Sequence, residues 1–267
     1  MITTYEAAPG IDVLTSAFPS PGLGSVPITA VVLHGDEPVL VDAGAVVERD
    51  EFLEVLRTVV DVAALRWIWL THTDADHIGA LHALLDENVD LEVVTTFLGV
   101  GAMSLADPLP LDRVHLVNPG QQLVAGGRTL TALRPPTFDN PCTTGFHDER
   151  SGALFSADSF GALLADVPRS AEDLTETELR EGQALWATID SPWLHSVDAE
   201  TFADRLDAIR RLDPSMILSS HLPAASPALT GRMLDTLASV PARAPFAGPD
   251  QAALESLLAG MTSGAPV

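Results

Sequence analysis

The stretch THTDADH at Thr71–His77 is the most informative part of the sequence, because it stands between the apolar run RWIWL at Arg66–Leu70 and an apolar helical pattern that begins at Ile78. A short apolar run bounded by polar residues is typical of a strand that is buried on both faces. Two histidines and two aspartates follow this strand directly. Side chains at strand ends in α/β folds converge on one crevice, so the stretch predicts a functional site.

The composition of this stretch is that of a metal site. His72, Asp74 and Asp76 alternate to one side of an extended turn, and His77 opens the predicted helix. Imidazole and carboxylate are ligands for Zn, Fe and Mn, and Cys142 is the only cysteine, so a thiolate cluster is excluded. The alternative is a hydrated loop in which Asp74 or Asp76 caps the helix. A cap does not require two histidines, and we therefore predict metal binding.

Two later strands also end on residues of ligand type. Asp158 follows the apolar run at Ala153–Ser156, and His221 follows the run at Met216–Ser219. Taken alone, an aspartate here forms turns and a histidine here is a buried structural residue. Three strand ends that each deliver a possible ligand, with His72 as the first, favour one shared site.

Charge and length limit the partners of the chain. The 267 residues suit a single domain. The 14 basic residues are all arginine and oppose 37 acidic ones, for a net charge of −23, which argues against binding to nucleic acid or to an anionic membrane. The N-terminus lacks the features of a signal peptide, and no apolar run is long enough to span a membrane. We therefore expect a cytoplasmic protein that acts on a small molecule, and oligomeric state stays open.

Strands and helices alternate along the chain, with hairpins that a simple doubly wound sheet does not accommodate. A hairpin is predicted at Leu123–Leu133, and amphipathic helices are predicted at Arg49–Val60 and Ala199–Leu212. Two mixed β-sheets packed together, with helices outside, fit this order better.

The motifs resemble those of the metallo-β-lactamase superfamily. HTDADHIGAL from His72 resembles its metal motif, usually His-x-His-x-Asp-His, and VDAG at Val41–Gly44 resembles its earlier strand-end aspartate, Asp42 here. SADSFG around Asp158 and SSHLP around His221 resemble its later positions, in the correct order. The resemblance implies an αββα sandwich with a dinuclear metal site, a core at about 11–223 and C-terminal helices at 224–262 of one domain, 1–267.

Two departures resemble the β-lactamase-like domain of flavodiiron proteins. Asp74 stands where the usual motif has a histidine, and flavodiiron proteins carry a glutamate there. Those proteins also place a His-Trp-Pro histidine nineteen residues before the bridging aspartate, in a segment similar to LFSADSFG here. Counting back from Asp158 gives Asp139, which is followed by Asn140-Pro141. His147 is the alternative for this ligand.

The resemblance implies two groups of ligands that share one carboxylate. The seven implied ligands are three histidines and four aspartates. This set is richer in oxygen than a zinc β-lactamase site, which favours Fe or Mn over Zn. Such a shell also raises the pKa of a metal-bound water. The first metal takes His72, Asp74 and Asp139, the second takes Asp76, His77 and His221, Asp158 bridges them, and Asp76 is also assigned a catalytic role.

Three functions remain open on the sequence. The main expectation is a dinuclear metal-dependent hydrolase, in which metal-bound hydroxide attacks an ester, amide or phosphoester. The first alternative is a flavodiiron-like diiron protein that binds or reduces dioxygen or nitric oxide. It would take electrons from a separate protein, because no phosphate-binding glycine loop for a flavin is found. The second alternative is a non-catalytic relative with a weakened metal site. His195 and His82 are lesser candidates for a place near the site.

Overall fold

The first sheet of the computed structural model, which describes residues 1–262, contains the strand that precedes the metal motif. Its seven strands follow one another in chain order. They pair antiparallel from β1 to β4 and parallel from β4 to β7. The strands are β1 (Thr3–Ala8), β2 (Ile11–Ser20), β3 (Gly24–Leu33), β4 (Val39–Val41), β5 (Trp67–Trp69), β6 (Glu92–Thr95) and β7 (Val114–Leu116).

The second sheet has six strands in the order β13-β12-β11-β10-β9-β8. Only β11 and β12 run parallel, in a register that pairs Leu154 with Ile217. The predicted hairpin at Leu123–Leu133 forms β8 and β9. The strands are β8 (Gln122–Ala125), β9 (Arg128–Leu133), β10 (Gly145–Asp148), β11 (Ala153–Phe155), β12 (Met216–Ser219) and β13 (Leu222–Ala225).

Helices cover the outer face of each sheet. The helix α1 packs Phe52, Leu53 and Leu56 on the first sheet, in one buried cluster with α2. Helices α4, α5 and α6 form the equivalent cluster on the second sheet. The helices are α1 (Arg49–Val59), α2 (Leu81–Glu87), α3 (Phe97–Ser104), α4 (Glu176–Asp190), α5 (Ala199–Leu212), α6 (Pro227–Ser239) and α7 (Gln251–Thr262).

A third apolar cluster lies between the sheets and includes Val41 and Trp69 of the first sheet and Phe146 and Phe155 of the second. The layers are therefore helix, sheet, sheet and helix, and the predicted αββα sandwich of two mixed sheets is confirmed. Along residues 1–262, no helix combines the length and apolar character needed to cross a membrane.

Candidate metal centre

The candidate ligands meet at one edge of the sandwich, because they follow strands that end there. The metal motif follows β5, Asp158 follows β11, and His221 follows β12. The strands β4 and β5 are parallel, as are β11 and β12, so each pair delivers its ends to the same edge of its sheet.

The metal motif is held by backbone contacts to the segment after β4. The amide of Ala43 donates to the carbonyl of His77 at 2.7 Å, and the amide of Gly79 donates to the carbonyl of Gly44 at 2.7 Å. A Cβ on Gly79 would lie 2.3 Å from the carbonyl carbon of Ala45, so only glycine permits this approach. The contacts place Asp42 beside His77 and delay the start of α2 to Leu81, three residues after the predicted start.

Asp158 lies at the middle of the cluster, with its two oxygens facing different histidines. Its Oδ2 is 3.2 Å from Nε2 of His72. Its Oδ1 is 3.3 Å from Nε2 of His77 and 3.1 Å from Nε2 of His221. All four side chains are buried. A carboxylate with one oxygen toward each of two groups has the geometry of a bridging ligand.

Each side of Asp158 gathers its own group of ligand atoms. On the first side, Nε2 of His72 lies 3.9 Å from Oδ2 of Asp74 and 4.0 Å from Oδ1 of Asp139. On the second side, Oδ2 of Asp76 lies 3.5 Å from Nε2 of both His77 and His221. In each group the ligand atoms lie within 4.8 Å of one another, as the ligands of one ion must. The three aspartates are partly exposed and line the open side of the cluster: Asp74, Asp76 and Asp139.

Hydrogen bonds to the far nitrogen turn each imidazole toward Asp158. Nδ1 of His77 lies 2.8 Å from Oδ2 of Asp42, and Nδ1 of His221 donates to the carbonyl of Pro27 at 2.7 Å. Nδ1 of His72 is 3.1 Å from the hydroxyl of Thr71. Metal-binding histidines are usually fixed in this way, with Nε2 left as the ligand atom.

The segment around Asp158 adopts an unusual backbone. Ala157 and Phe160 have φ values of +49° and +69°, which are costly for residues with a side chain. Nε1 of Trp186 donates to the carbonyl of Asp158 at 3.0 Å, and a Cβ on Gly161 would lie 2.6 Å from that Nε1. Surrounding packing therefore holds a strained turn that presents the Asp158 carboxylate.

The cluster is strongly coupled electrostatically. Burial opposes the charge on Asp158, but His72, His221 and His77 hold the pKa of its carboxyl well below the usual range. Burial lowers the pKa of His221, yet the charge of Asp158 outweighs it and raises that pKa to about 9. The pKa of His72 is likewise raised well above its usual value, because Asp158 overcomes the effect of burial. Burial, with the charges of Asp158 and Asp74, raises the pKa of Asp139 to about 6.

The donor atoms fit a pair of divalent cations. Nε2 of His72, Nε2 of His77 and Oδ1 of Asp158 are buried, and within the part of the chain described they have no hydrogen-bond partner. Buried polar atoms without partners are costly unless something binds them, and the pair of cations would satisfy all three. The full set of three imidazoles and four carboxylates is rich in oxygen, which suits Fe or Mn.

All seven predicted ligands lie together, and His147 does not join them. His147 is on β10, where it pairs with Thr131 and Leu154 and lines a separate cleft. Asp139 instead faces His72, and the side-chain Nδ2 of its neighbour Asn140 donates to Oδ1 of Asp74 at 3.0 Å.

Other sequence candidates lie outside the cluster. His82 pairs with Asp107 at 3.2 Å. His195 lies on a short 3₁₀ segment and belongs to none of the ligand groups found among residues 1–262. Cys142 is buried, with its Sγ 3.8 Å from the hydroxyl of Thr73. Burial raises the pKa of this thiol, which disfavours the reactive thiolate form.

Asp190 is the acidic residue that sequence reasoning missed. It ends α4 and brings a carboxylate within 4.8 Å of ligand atoms of Asp139 and Asp158. Burial, followed by the charges of Asp158 and Asp139, raises its pKa to about 7. Nothing in its local sequence signals this place, because the approach depends on how α4 packs on the second sheet.

Most of the chain matches one known protein family. Residues 28–221 match the model described as "ODP family beta lactamase", which is more than half of the chain. The chain belongs to the ODP family of β-lactamases. The matched region spans the metal motif, Asp139, Asp158 and His221.

Curated relatives of this ODP family chain include nitric oxide reductases. The anaerobic nitric oxide reductase flavorubredoxin of Klebsiella pneumoniae is 27% identical over 164 residues, which cover 61% of this chain and 34% of the relative. A flavorubredoxin homologue of Escherichia coli O157:H7 is 26% identical, with 61% and 40% covered. The chain thus matches about a third of the length of the first of these relatives.

Solved structures share the fold. The rubredoxin oxygen:oxidoreductase of Desulfovibrio gigas has a TM-score of 0.80 at 18% identity, with 91% of this chain and 63% of that chain covered. The flavodiiron protein of Giardia intestinalis has a TM-score of 0.79 at 15% identity, with 90% and 60% covered. The Klebsiella pneumoniae relative is named as a nitric oxide reductase, and the Desulfovibrio gigas protein is named as an oxidoreductase. The name of the Klebsiella pneumoniae relative agrees with the redox alternative and gives no support to the main expectation, a hydrolase, or to zinc as the metal.

Proposed function

We propose that this chain is an oxidoreductase that holds two iron ions and reduces nitric oxide or dioxygen with electrons from a redox partner. The observation that carries the proposal is the match over 164 residues to nitric oxide reductase flavorubredoxins. The oxygen-rich ligand set supports it, since hard donors favour iron over zinc. We further propose that the chain is a single domain, because one apolar cluster joins both sheets.

The proposed ligands form two groups around Asp158. Two bound iron ions would supply the electron transfer to the substrate. His72, Asp74 and Asp139 would hold the first ion, and Asp158 would bridge to the second. The second would be held by Asp76, His77 and His221, and the place of Asp76 at the pocket described next accords with its proposed catalytic role.

An apolar pocket of about 340 Å³ supports a small uncharged substrate. It ends at Asp76 and Ala75 of the metal motif, and Trp186 closes one side. Its remaining lining is apolar: Phe18, Val26, Ile28, Ala45, Val46 and Val47. A small apolar molecule can enter such a pocket at little cost, because it gives up no strong hydrogen bonds to water. A phosphoester would lose its hydration there, and its charge would find no partner. Nitric oxide and dioxygen meet this condition.

A single-turnover experiment tests the proposal. The protein is loaded with iron, reduced with dithionite, freed of excess reductant and mixed anaerobically with nitric oxide. Two ferrous ions supply two electrons, so two nitric oxide molecules and two protons should give one nitrous oxide and one water per centre. Ester and lactam hydrolysis is measured in parallel.

Matched histidine variants identify the site of the reaction. His221→Ala should abolish nitric oxide consumption, whereas His34→Ala should not, because His34 pairs with Asp12 outside the cluster. The same assay with dioxygen tests the second substrate. Hydrolysis that depends on His221, without consumption of either gas, would overturn the proposal.

A further inference from the structure

A large cleft lies on the outer face of the second sheet, separate from the apolar pocket at Asp76. Its volume of about 980 Å³ is at the upper end of the roughly 300–1,000 Å³ of small-molecule sites. One wall is the sheet, with Leu133 and His147, and the opposite wall is α5, with Arg205 and Ile209. The segment that leads to the proposed metal ligand Asp139 forms the floor, with Arg134 and Phe138.

The cleft gathers positive charge in a strongly acidic chain. Arg134 and Arg205 both line it, and among the residues described neither guanidinium has a carboxylate within 4.0 Å. Glu149 is the acidic residue in the lining, and its Oε1 accepts hydrogen bonds from Gln122 and Thr131, both at 3.0 Å. The lining therefore carries a net positive charge, although the chain carries −23.

An aromatic pair positions the two arginines. The rings of Phe138 and Trp193 lie 5.3 Å apart. The guanidinium of Arg134 lies 5.0 Å from the Phe138 ring, and that of Arg205 lies 5.8 Å from the Trp193 ring. Arg134 donates to the carbonyl of Pro141 at 2.9 Å, which uses one of its five N–H groups. Burial lowers the pKa of Arg134; Cys142 opposes this change, and the nearby charge of Arg205 adds to it.

We propose that this cleft binds a small organic anion, with its carboxylate or phosphate on Arg134 and Arg205 and its apolar body against Leu133, Phe138 and Ile209. Guanidinium groups bind both kinds of oxyanion strongly, and the apolar walls select a ligand with a hydrocarbon or aromatic body. The proposal is independent of the redox function. Because Phe138 and Pro141 flank Asp139 and Asn140, the ligand would rest on the segment that reaches the metal cluster.

Fluorescent probes with and without charge test the proposal. Anilinonaphthalene sulfonate carries an aromatic body and one anionic group, and N-phenyl-1-naphthylamine has the same body without the charge. We expect the wild-type protein as purified to bind the anion at least about 5-fold more tightly than the neutral probe. Equal affinity for the two probes would overturn the proposal.

Arginine variants locate the binding. Arg205→Gln should lower the affinity for the anionic probe about 5-fold or more and leave the affinity for the neutral probe unchanged. Arg211→Gln is the matched control, because it removes the same charge from the same helix outside the cleft. Arg134→Gln should lower the affinity for the anionic probe to a similar extent. If loss of the hydrogen bond from Arg134 to Pro141 impairs folding, the Arg205 variant alone tests the assignment. Equal weakening by Arg205→Gln and Arg211→Gln would contradict the assignment.

Displacement distinguishes the two oxyanions. Dodecanoate and dodecyl phosphate should each displace the bound anionic probe, and the stronger competitor identifies the preferred group. Dodecanol has the same hydrocarbon chain without the charge. If dodecanol displaces the anionic probe as effectively as dodecanoate and dodecyl phosphate do, the proposal is overturned.

Discussion

Oδ2 of Asp42 lies 2.8 Å from Nδ1 of His77, and this contact directs Nε2 of the same ring toward Asp158. The carboxylate is itself fixed, since Thr71 donates to it from its amide and from its hydroxyl, both at 2.8 Å. Asp42 has a φ of +59°, a conformation that aspartate and asparagine tolerate better than other residues with side chains. One buried carboxylate thus orients a proposed ligand without facing the metals.

Replacement of the Asp42 carboxylate should weaken binding of the proposed second metal, which His77 would hold. Asp42→Asn keeps the size and backbone preference of the residue but removes the charge that orients His77. Loss of such a partner typically costs about 10–100-fold in metal affinity, and competition with a chelator measures it. Asp12→Asn is the matched control, because Asp12 contacts His34 at the same 2.8 Å distance outside the cluster. Equal affinities in the two variants would show that Asp42 does not support the site.

The third ligand of the first metal can be identified by counting iron. Asp139→Ala should leave about one iron per chain, because Asp139 faces His72 at 4.0 Å. His147→Ala should leave two, because His147 lines the cleft on the far side of β10. Elemental analysis of both variants decides between them. Iron lost from the His147 variant and kept by the Asp139 variant would require a different ligand set.

Metal preference should follow the two aspartates that replace histidine. Asp74→His combined with Asp139→His would exchange two anions for neutral imidazoles around one ion. Zinc favours nitrogen donors, so the double variant should raise the ratio of zinc to iron bound from an equimolar mixture. The single exchange His147→Asp provides a control outside the cluster. An unchanged metal ratio in the double variant would mean that these carboxylates do not select iron.

The pH dependence of stability follows from the raised histidine pKa values. In the unfolded chain histidine titrates near about 6.5, whereas the folded pKa of His221 is about 9. The folded, metal-free protein therefore holds protons that the unfolded chain releases, so its unfolding free energy is largest below about pH 6.5 and falls toward about pH 9. Metal replaces these protons, so metal affinity should rise over the same interval.

Thermal unfolding between pH 6 and 9 measures this effect. The Tm of the metal-free protein should fall as pH rises, and the Tm of the iron-loaded protein should fall less. A metal-free protein that gains stability across this range would contradict the proposed coupling between His221 and Asp158.

Much of the fold was predictable because local patterns and strand ends coincide. The helix at Ala199–Leu212 and the strand at Met216–Ser219 have the predicted bounds, since helical spacing of apolar residues marks the first and a short apolar run marks the second. The seven candidate ligands were also visible, because each follows a recognisable strand or matches a known motif. Their exact roles as ligands stay proposals until metal is counted.

The features that the sequence did not predict depend on tertiary contacts. The edge strand β1, Thr3–Ala8, pairs with β2 and none of its six residues is buried, so no buried apolar run marks it in the sequence. Asp190 reaches the cluster through the packing of α4. Arg134 and Arg205, far apart in the chain, line one cleft because α5 packs on the second sheet. A local sequence pattern does not predict contacts between residues that are far apart in the chain.

We propose that Asp158 bridges two metals in one centre, and the iron content of Asp158→Asn tests this bridge. The variant removes the charge that faces His72 on one side and both His77 and His221 on the other. After loading under identical conditions, we predict two irons per chain in the wild-type protein and almost none in Asp158→Asn. A wild-type protein with a single iron, or a variant that keeps two, would contradict the account.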